Sequence, residues 1–277
     1  MVVAGFLFGC MGVCVKLGSA YFSSAELVFY RSLIGLMVIA LIALSYRLPL
    51  ATPHWKMHMG RGVSGFVALM LFFYAITALP LATAVTLNYT APLFLALLST
   101  IVLKERPRPR LLFAVLLGFV GVALLLRPSI HQGQLMAGWM GLLSGFLAGV
   151  AYLNVKQLGN LGEPEWRVVF YFTLASTIGA GLWMLIHHFH PVTWRGLALL
   201  VGLGTTATLA QLAMTRAYRL GTTLVVASFA YSTVIFASLF GIVLWGEVLS
   251  ATSWFAIVLI IASGVVSARS VPRSIAR

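Results

Sequence analysis

Long apolar runs separated by short polar joints dominate the chain. Ten runs can be delimited, at 2–21, 26–45, 62–79, 81–103, 110–127, 136–155, 167–187, 196–215, 222–245 and 252–269. Each approaches the roughly 20 residues that a helix needs to cross a hydrocarbon core about 30 Å thick. Polar and apolar positions do not alternate within them. "LLFAVLLGFVGVALLL" (111–126) is apolar on every face, which argues against the period-two pattern of a membrane β-barrel. The third and fourth runs are parted only by "LPL" (79–81), so the break between them rests on Pro80. The pattern predicts an all-α membrane protein of ten transmembrane helices, because backbone polar groups must pair internally in lipid.

Composition agrees. Hydrophobic residues make up 61% of the 277 and charged residues 8%, against about 25% charge in soluble domains. The formal charge of +13 would suit a nucleic-acid binder, but the basic residues are distributed by side. With a cytoplasmic N-terminus, the inner loops and helix ends collect fourteen Lys and Arg residues, Arg61 among them, and the outer ones only Arg127 and Arg195. That asymmetry predicts both termini in the cytoplasm and the lipid bilayer, not nucleic acid, as the partner. Lys16 and Arg31 belong to neither set. The chain begins in an apolar run with no basic leader, so 2–21 reads as a span and not a cleaved signal. Cys10 and Cys14, one turn apart with no third ligand nearby, read as packing residues, and no metal site or cofactor is expected. The chain has no H-E-x-x-H, no G-x-S-x-G and no Asp, which disfavours a membrane enzyme. No filter-like loop suggests a channel.

Ten runs divide into five and five. "NYTAPLFLALLSTIVLKE" (88–105) lies over "AYSTVIFASLFGIVLWGE" (230–247) at an offset of 142, matching Tyr89 with Tyr231 and Glu105 with Glu247. A five-span unit crosses an odd number of times, so its second copy enters from the opposite side. The expectation is two inverted five-helix repeats, 1–128 and 136–269, followed by a cytoplasmic tail, 270–277. In such folds the site lies between the halves near the midplane.

The sequence resembles the EamA family of the drug/metabolite transporter superfamily. The resemblance is carried by "FYRSLIGL" (29–36), "FYAITALPLATAVTLNYTAPLFLALLSTIVLKE" (73–105) and "GFVGVALLLRP" (118–128). A weaker second copy is "AYRLGTTLVVASFAYSTVIFASLFGIVLWGE" (217–247) with "IIASGVV" (260–266). It implies a ten-helix secondary transporter of a bacterial inner membrane that moves small metabolites by alternating access; the shortage of acids at depth points to an exporter or exchanger rather than a proton-coupled carrier. The second copy has Val234 where the first has Pro92, so a kink is expected in span 4 and a weaker one in span 9.

Candidate site residues follow from polarity at depth. Arg31 lies about five residues into span 2 and reads either as a headgroup anchor or as a cavity charge. With Lys16 it would favour a carboxylate-bearing substrate, such as an amino acid or its derivative. Glu26, the acid nearest to them, is the candidate for ion coupling and is placed to meet Lys16 across the 1–2 loop. Asn88, Tyr89, Asn154, Gln211 and Tyr231 are candidate polar anchors of the substrate site, and each also reads as an interhelical packing residue. Pro92 removes a backbone donor and is a candidate gating kink. Gly5, Gly9, Gly141, Gly145 and Gly149 allow close helix approach. Glu105 and Glu247 read as structural, and His187, His188 and His190 as incidental loop residues. A flippase for a lipid-linked sugar or similar amphiphile is the alternative function, predicting a lateral opening between helices. The sequence also allows a homodimer.

Overall fold

The computed structural model describes residues 1–79, 81–104, 108–126, 134–186, 189–246, 248 and 250–270. Among them the secondary structure is entirely helical, in twelve segments. These are α1 (Val2–Gly18), α2 (Ser24–Ser45), α3 (Trp55–Ala78), α4 (Leu81–Asn88), α5 (Ala91–Val102), α6 (Pro109–Leu126), α7 (Leu135–Asn160), α8 (Glu165–Met184), α9 (Trp194–Leu220), α10 (Thr223–Ala230), α11 (Ser232–Trp245) and α12 (Ala251–Arg269). Among the described residues, eight stretches are long and apolar enough to cross a membrane, with α4–α5 and α10–α11 each counting as one from Ala84 and Thr223 onward. α1 is apolar but shorter. Pro80, Arg127 and Glu105 lie outside the described residues, as do Glu247, His187, His188 and the tail from 271.

Helix ends follow local chemistry. Ser23 and Glu26 form a reciprocal capping box at the start of α2, satisfying two donors that the first turn leaves free. Thr193 accepts from Gly196 N at α9, and Ser250 from Ser253 N at α12. Lys104 just after α5 and Gly246 just after α11 both adopt positive φ, 54° and 64°. They stand 142 residues apart, so the two matched runs end in the same left-handed turn.

Packing inverts the rule of a soluble core. The buried faces are rich in Ala, Gly, Ser and Thr, while large apolar side chains such as Val243 (77% exposed) point outward. Lipid solvates Leu as well as a neighbouring helix does, so helices associate through close contact between small residues. α1 lies against α9 and α11, and α7 against α3 and α5. α2 contacts α8 and α9, and α3 also contacts α8. α6 runs along α12. The loops and helix ends that the sequence assigns to one side meet one another. Arg108 donates to Ser270 O, Lys156 to Gly221 O, Arg167 to Pro49 O, and Arg219 pairs with Glu165. At the other end Gln134 donates to Ala78 O and His190 to Glu26.

Two expectations need correction. α3 starts at Trp55, about two turns before the expected span, and carries Arg61 into the buried interior. The run also breaks fully between α10 and α11 without a proline, where a weaker kink was expected.

Candidate functional site

The two broken helices set the centre. At the first break Thr90 N reaches only to Leu87 O, and Thr90 Oγ1 donates to the same carbonyl at 2.5 Å. At the second, Tyr231 N reaches to Ser228 O, and Ser232 Oγ donates to Phe229 O at 2.7 Å. Leu87 and Phe229 stand 142 apart, as do Thr90 and Ser232. Hydroxyl groups that bond back to a carbonyl compete with the helical ladder, and three-residue turns tighten it locally. The serine and threonine therefore account for a break in which proline is dispensable. Each break is received by glycines on a facing helix. A Cβ on Gly5 would lie 2.4 Å from Ser232 Oγ, and one on Gly145 would lie 2.3 Å from Thr90 Oγ1 and 2.6 Å from Leu87 O. Tyr89 and Tyr231 sit at these breaks with ring centroids 6.3 Å apart.

Arg31 lines a small crevice with Ser32, Phe172, Thr173, Ala207, Thr208 and Gln211, between α2, α8 and α9. The crevice thus sets Arg31 against the helices of the second half of the chain. Arg61 approaches the same crevice from α3. Only 3% of it is exposed, its guanidinium lies 4.1 Å over the Phe172 ring, and Nη2 is 3.4 Å from Gln211 Oε1. Its Nε and Nη1 have no hydrogen-bond partner among the described residues. Tyr152 lies within electrostatic reach of both arginines. Its ring stacks on that of Tyr218 at 5.4 Å, and the Tyr218 hydroxyl is buried without a hydrogen-bond partner among the described residues. The centre is thus rich in donors and poor in acceptors.

Three acids are described, and each has a cation or histidine of its own. Glu26 is fully buried and accepts from Ser23 N, from His190 N at 2.6 Å and at His190 Nδ1 at 2.8 Å. Glu163 accepts from Thr52 and from Arg167 Nη1 at 2.8 Å, and His58 Nε2 lies 3.3 Å away. Burial pushes the Glu163 carboxyl up, but the hydrogen bonds from Thr52, Arg167 and His58 outweigh it and hold the group below its ordinary range. Glu165 pairs with Arg219 at 3.1 Å. No group of three or more His, Cys, Asp or Glu that could hold a metal occurs among the described residues. Cys10 and Cys14 are free thiols.

Of the candidates read from the sequence, Arg31 and Gln211 share one crevice, and Tyr89 and Tyr231 share one contact. Asn88 donates to Ser144 Oγ across α4 and α7 at 3.2 Å. Asn154 faces Gly60 on α3, and its amide nitrogen would lie 3.8 Å from a Cβ there. Pro92 is buried in the first turn of α5 rather than at the break itself. Lys16 is exposed near the end of α1, with its ammonium 4.0 Å over the Trp245 ring. The sequence reading missed Arg61 and His190. A signal for Arg61 exists in hindsight: it sits four residues before Gly65, and the gap left there is filled by its own guanidinium.

Comparison with known proteins bears on what this centre does. The model of the EamA-like transporter family matches residues 1–127 and again 135–269. The pseudopaline exporter CntI of Pseudomonas aeruginosa is 31% identical over 269 residues, covering 97% of this chain and 94% of that protein. A riboflavin transporter of Rhizobium johnstonii is 30% identical over 227 residues, 79% of this chain and 72% of the other. A solved crystal structure superposes with a TM-score of 0.83 over 96% of this chain and 93% of its own, at 20% identity, which is a likeness of fold.

Proposed function

This chain belongs to the EamA-like transporter family, and from that premise we propose that it is a secondary transporter of a small polar, carboxylate-bearing metabolite. It is a membrane transporter of the drug/metabolite superfamily and not an enzyme. The finer reading is an exporter or exchanger in a bacterial inner membrane, with both termini cytoplasmic. It works by alternating access between two inverted five-helix repeats, 1–128 and 136–269.

The packing pattern supports the repeat. Shifting each rod of the first half onto its counterpart in the second sends α1 to α7, α2 to α8 and α3 to α9. The contact of α1 with α9 then maps onto that of α7 with α3, α1–α11 onto α7–α5, and α2–α9 onto α8–α3. The α2–α8 and α6–α12 contacts map onto themselves. Discontinuous helices paired in this way are the usual elements of a midplane site. Their glycine-lined contacts with α1 and α7 are surfaces on which the halves can rock.

The observation that carries the substrate reading is Arg31 lining a crevice between α2, α8 and α9 beside Gln211. A guanidinium at that depth is costly in the absence of a counter-charge. Its planar fork matches a carboxylate. Tyr89, Tyr231 and Asn88 supply aromatic and amide surface around the breaks, and Asn154 on α7 is a further candidate anchor where it faces α3. Lys16, stacked over Trp245, would act at the outer mouth, attracting anions rather than holding them. Glu26 stays the coupling candidate through its contact with His190. The test is counterflow in proteoliposomes loaded with amino-acid-derived carboxylates. Arg31→Gln should abolish exchange of the substrate that the parent carries, while Lys16→Gln should only lower its apparent affinity. Undiminished exchange by Arg31→Gln would remove the arginine from the site.

One observation favours the flippase alternative. An apolar groove of about 410 Å³ opens between α1, α10, α11 and α12, lined by Phe229, Ile235, Phe236, Ile260 and Gly264 with Arg269 at one end. An amphiphile could enter there sideways. Movement of a fluorescent lipid-linked sugar analogue between leaflets, with no counterflow of soluble solutes, would favour that reading.

A further inference from the structure

We propose that Arg61 and Arg31 form a two-point anion receptor, so that the transported molecule carries two carboxylates, one for each guanidinium. This inference rests on the carrier reading above.

The two arginines come from α3 and α2 and converge on the same neighbours. Gln211 lines the crevice of Arg31 and accepts from Arg61, and Phe172 lines that crevice and lies under the Arg61 guanidinium. Arg61 is 97% removed from solvent, taking its 3% exposure from the whole, and uses one donor on Gln211 at 3.4 Å. Nε and Nη1 are buried and have no hydrogen-bond partner among the described residues. A guanidinium has five N–H donors and no acceptor. Burying it without a counter-ion leaves an ion whose lost hydration nothing replaces.

No described residue repays that cost. Glu26 is taken by Ser23 and His190, Glu163 by Thr52, His58 and Arg167, and Glu165 by Arg219. The chain has five acidic residues and none is Asp. Donors accumulate in the same region, because the Tyr218 hydroxyl next to Tyr152 is also buried with no partner among the described residues. A centre with two guanidiniums, an orphan hydroxyl and no free carboxylate among the described residues is completed by an acceptor-rich dianion. One carboxylate satisfies one planar fork through two parallel hydrogen bonds, and the second arginine then calls for a second carboxylate.

The experiment uses the full-length chain purified in detergent. Its melting temperature is followed with α,ω-dicarboxylates of two to six carbons, matched monocarboxylates and glycerol phosphate. A ligand of the native state raises the midpoint as its concentration passes the dissociation constant. The expected result is an optimum chain length among the dicarboxylates, with at least tenfold tighter binding than the matched monocarboxylate. Arg61→Gln should erase that preference and leave the monocarboxylate response, and Arg61→Lys should restore part of it. Arg61→Met distinguishes a ligand-binding residue from a structural one. Removing an uncompensated buried charge should leave the ligand-free protein as stable as the parent or more so, whereas a structural arginine would cost stability when removed. Equal binding of mono- and dicarboxylates by the parent overturns the two-point receptor and leaves the carboxylate carrier standing. A phosphate ester binding more tightly than every dicarboxylate overturns the carboxylate assignment. Loss of stability in ligand-free Arg61→Met also overturns the proposal. No response to any anion sinks both this inference and the carboxylate reading.

Discussion

Tyr89 and Tyr231 face each other with ring centroids 6.3 Å apart and planes inclined by 35°, each at the break of a helix whose two segments are matched along the chain. The Tyr231 ring is fully buried, and its hydroxyl has no hydrogen-bond partner among the described residues. The ring and the hydroxyl therefore have separable roles. Tyr231→Phe should change stability by less than about 1 kcal/mol, because it removes a buried group that makes no protein hydrogen bond. Tyr231→Ala should cost about 3–5 kcal/mol, by analogy with the removal of large aromatic rings from packed interiors. Unfolding in detergent measures both. A Phe variant that is stable but transports poorly would mean that the hydroxyl serves a ligand.

Glycine positions give a graded test of the contacts at the breaks. Gly145→Ala would drive a methyl into Thr90 Oγ1 and the Leu87 carbonyl, and Gly5→Ala would drive one into Ser232 Oγ. Both should destabilise by about 1–3 kcal/mol, the usual cost of overpacking. Gly12→Ala meets nothing within 4 Å and should be neutral or slightly stabilising through helix propensity. Melting temperatures of the three variants should rank with Gly12→Ala highest. Similar losses in all three would mean that the close approach is not what these glycines serve.

Glu26 ties the start of α2 to His190 and to its own capping partner. Glu26→Ala removes the acceptor for two backbone donors and should cost about 2–3 kcal/mol, combining a lost cap with unsatisfied buried groups. His190→Ala removes one side-chain contact from a residue that is 58% exposed at the side chain, so its cost should be smaller. A double-mutant cycle on thermal midpoints should show coupling between the two sites. Strict additivity would separate them.

Glu163 gives a pH dependence whose sign can be worked out. Its ordinary value is 4.5 and the folded protein holds it lower. A carboxyl with a depressed folded value stabilises the fold above its unfolded value, and that contribution is lost as pH falls through the folded value. The strap formed by Thr52, His58, Glu163 and Arg167 should therefore hold fully above about pH 4.5 and weaken progressively below it. Glu163→Gln should flatten the acid limb of a plot of melting temperature against pH. An unchanged acid limb would assign the loss to other groups.

The membrane-spanning runs were legible in the sequence because lipid imposes a local rule: each rod must be apolar along its length, whatever it packs against. The matched breaks were half legible. The offset of 142 aligned Tyr89 with Tyr231, but Pro92 drew attention to one break, while the Thr90 and Ser232 hydroxyls act at both. Arg61 was counted with the loop cations because a helix end shows no sharp boundary where a basic, Gly-containing stretch such as "HMGRG" (58–62) enters the bilayer. Its burial depends on Phe172 and Gln211, which lie more than a hundred residues away. Glu26 and His190 are likewise 164 residues apart. The sequence by itself determined the medium, the order of the apolar runs and the candidate turns, since those depend on neighbouring residues and the solvent around them. The tertiary structure alone decided which polar groups meet. Lipid-facing and helix-facing surfaces of these rods are both apolar, so no periodicity along one helix marks the partner that closes over a charge.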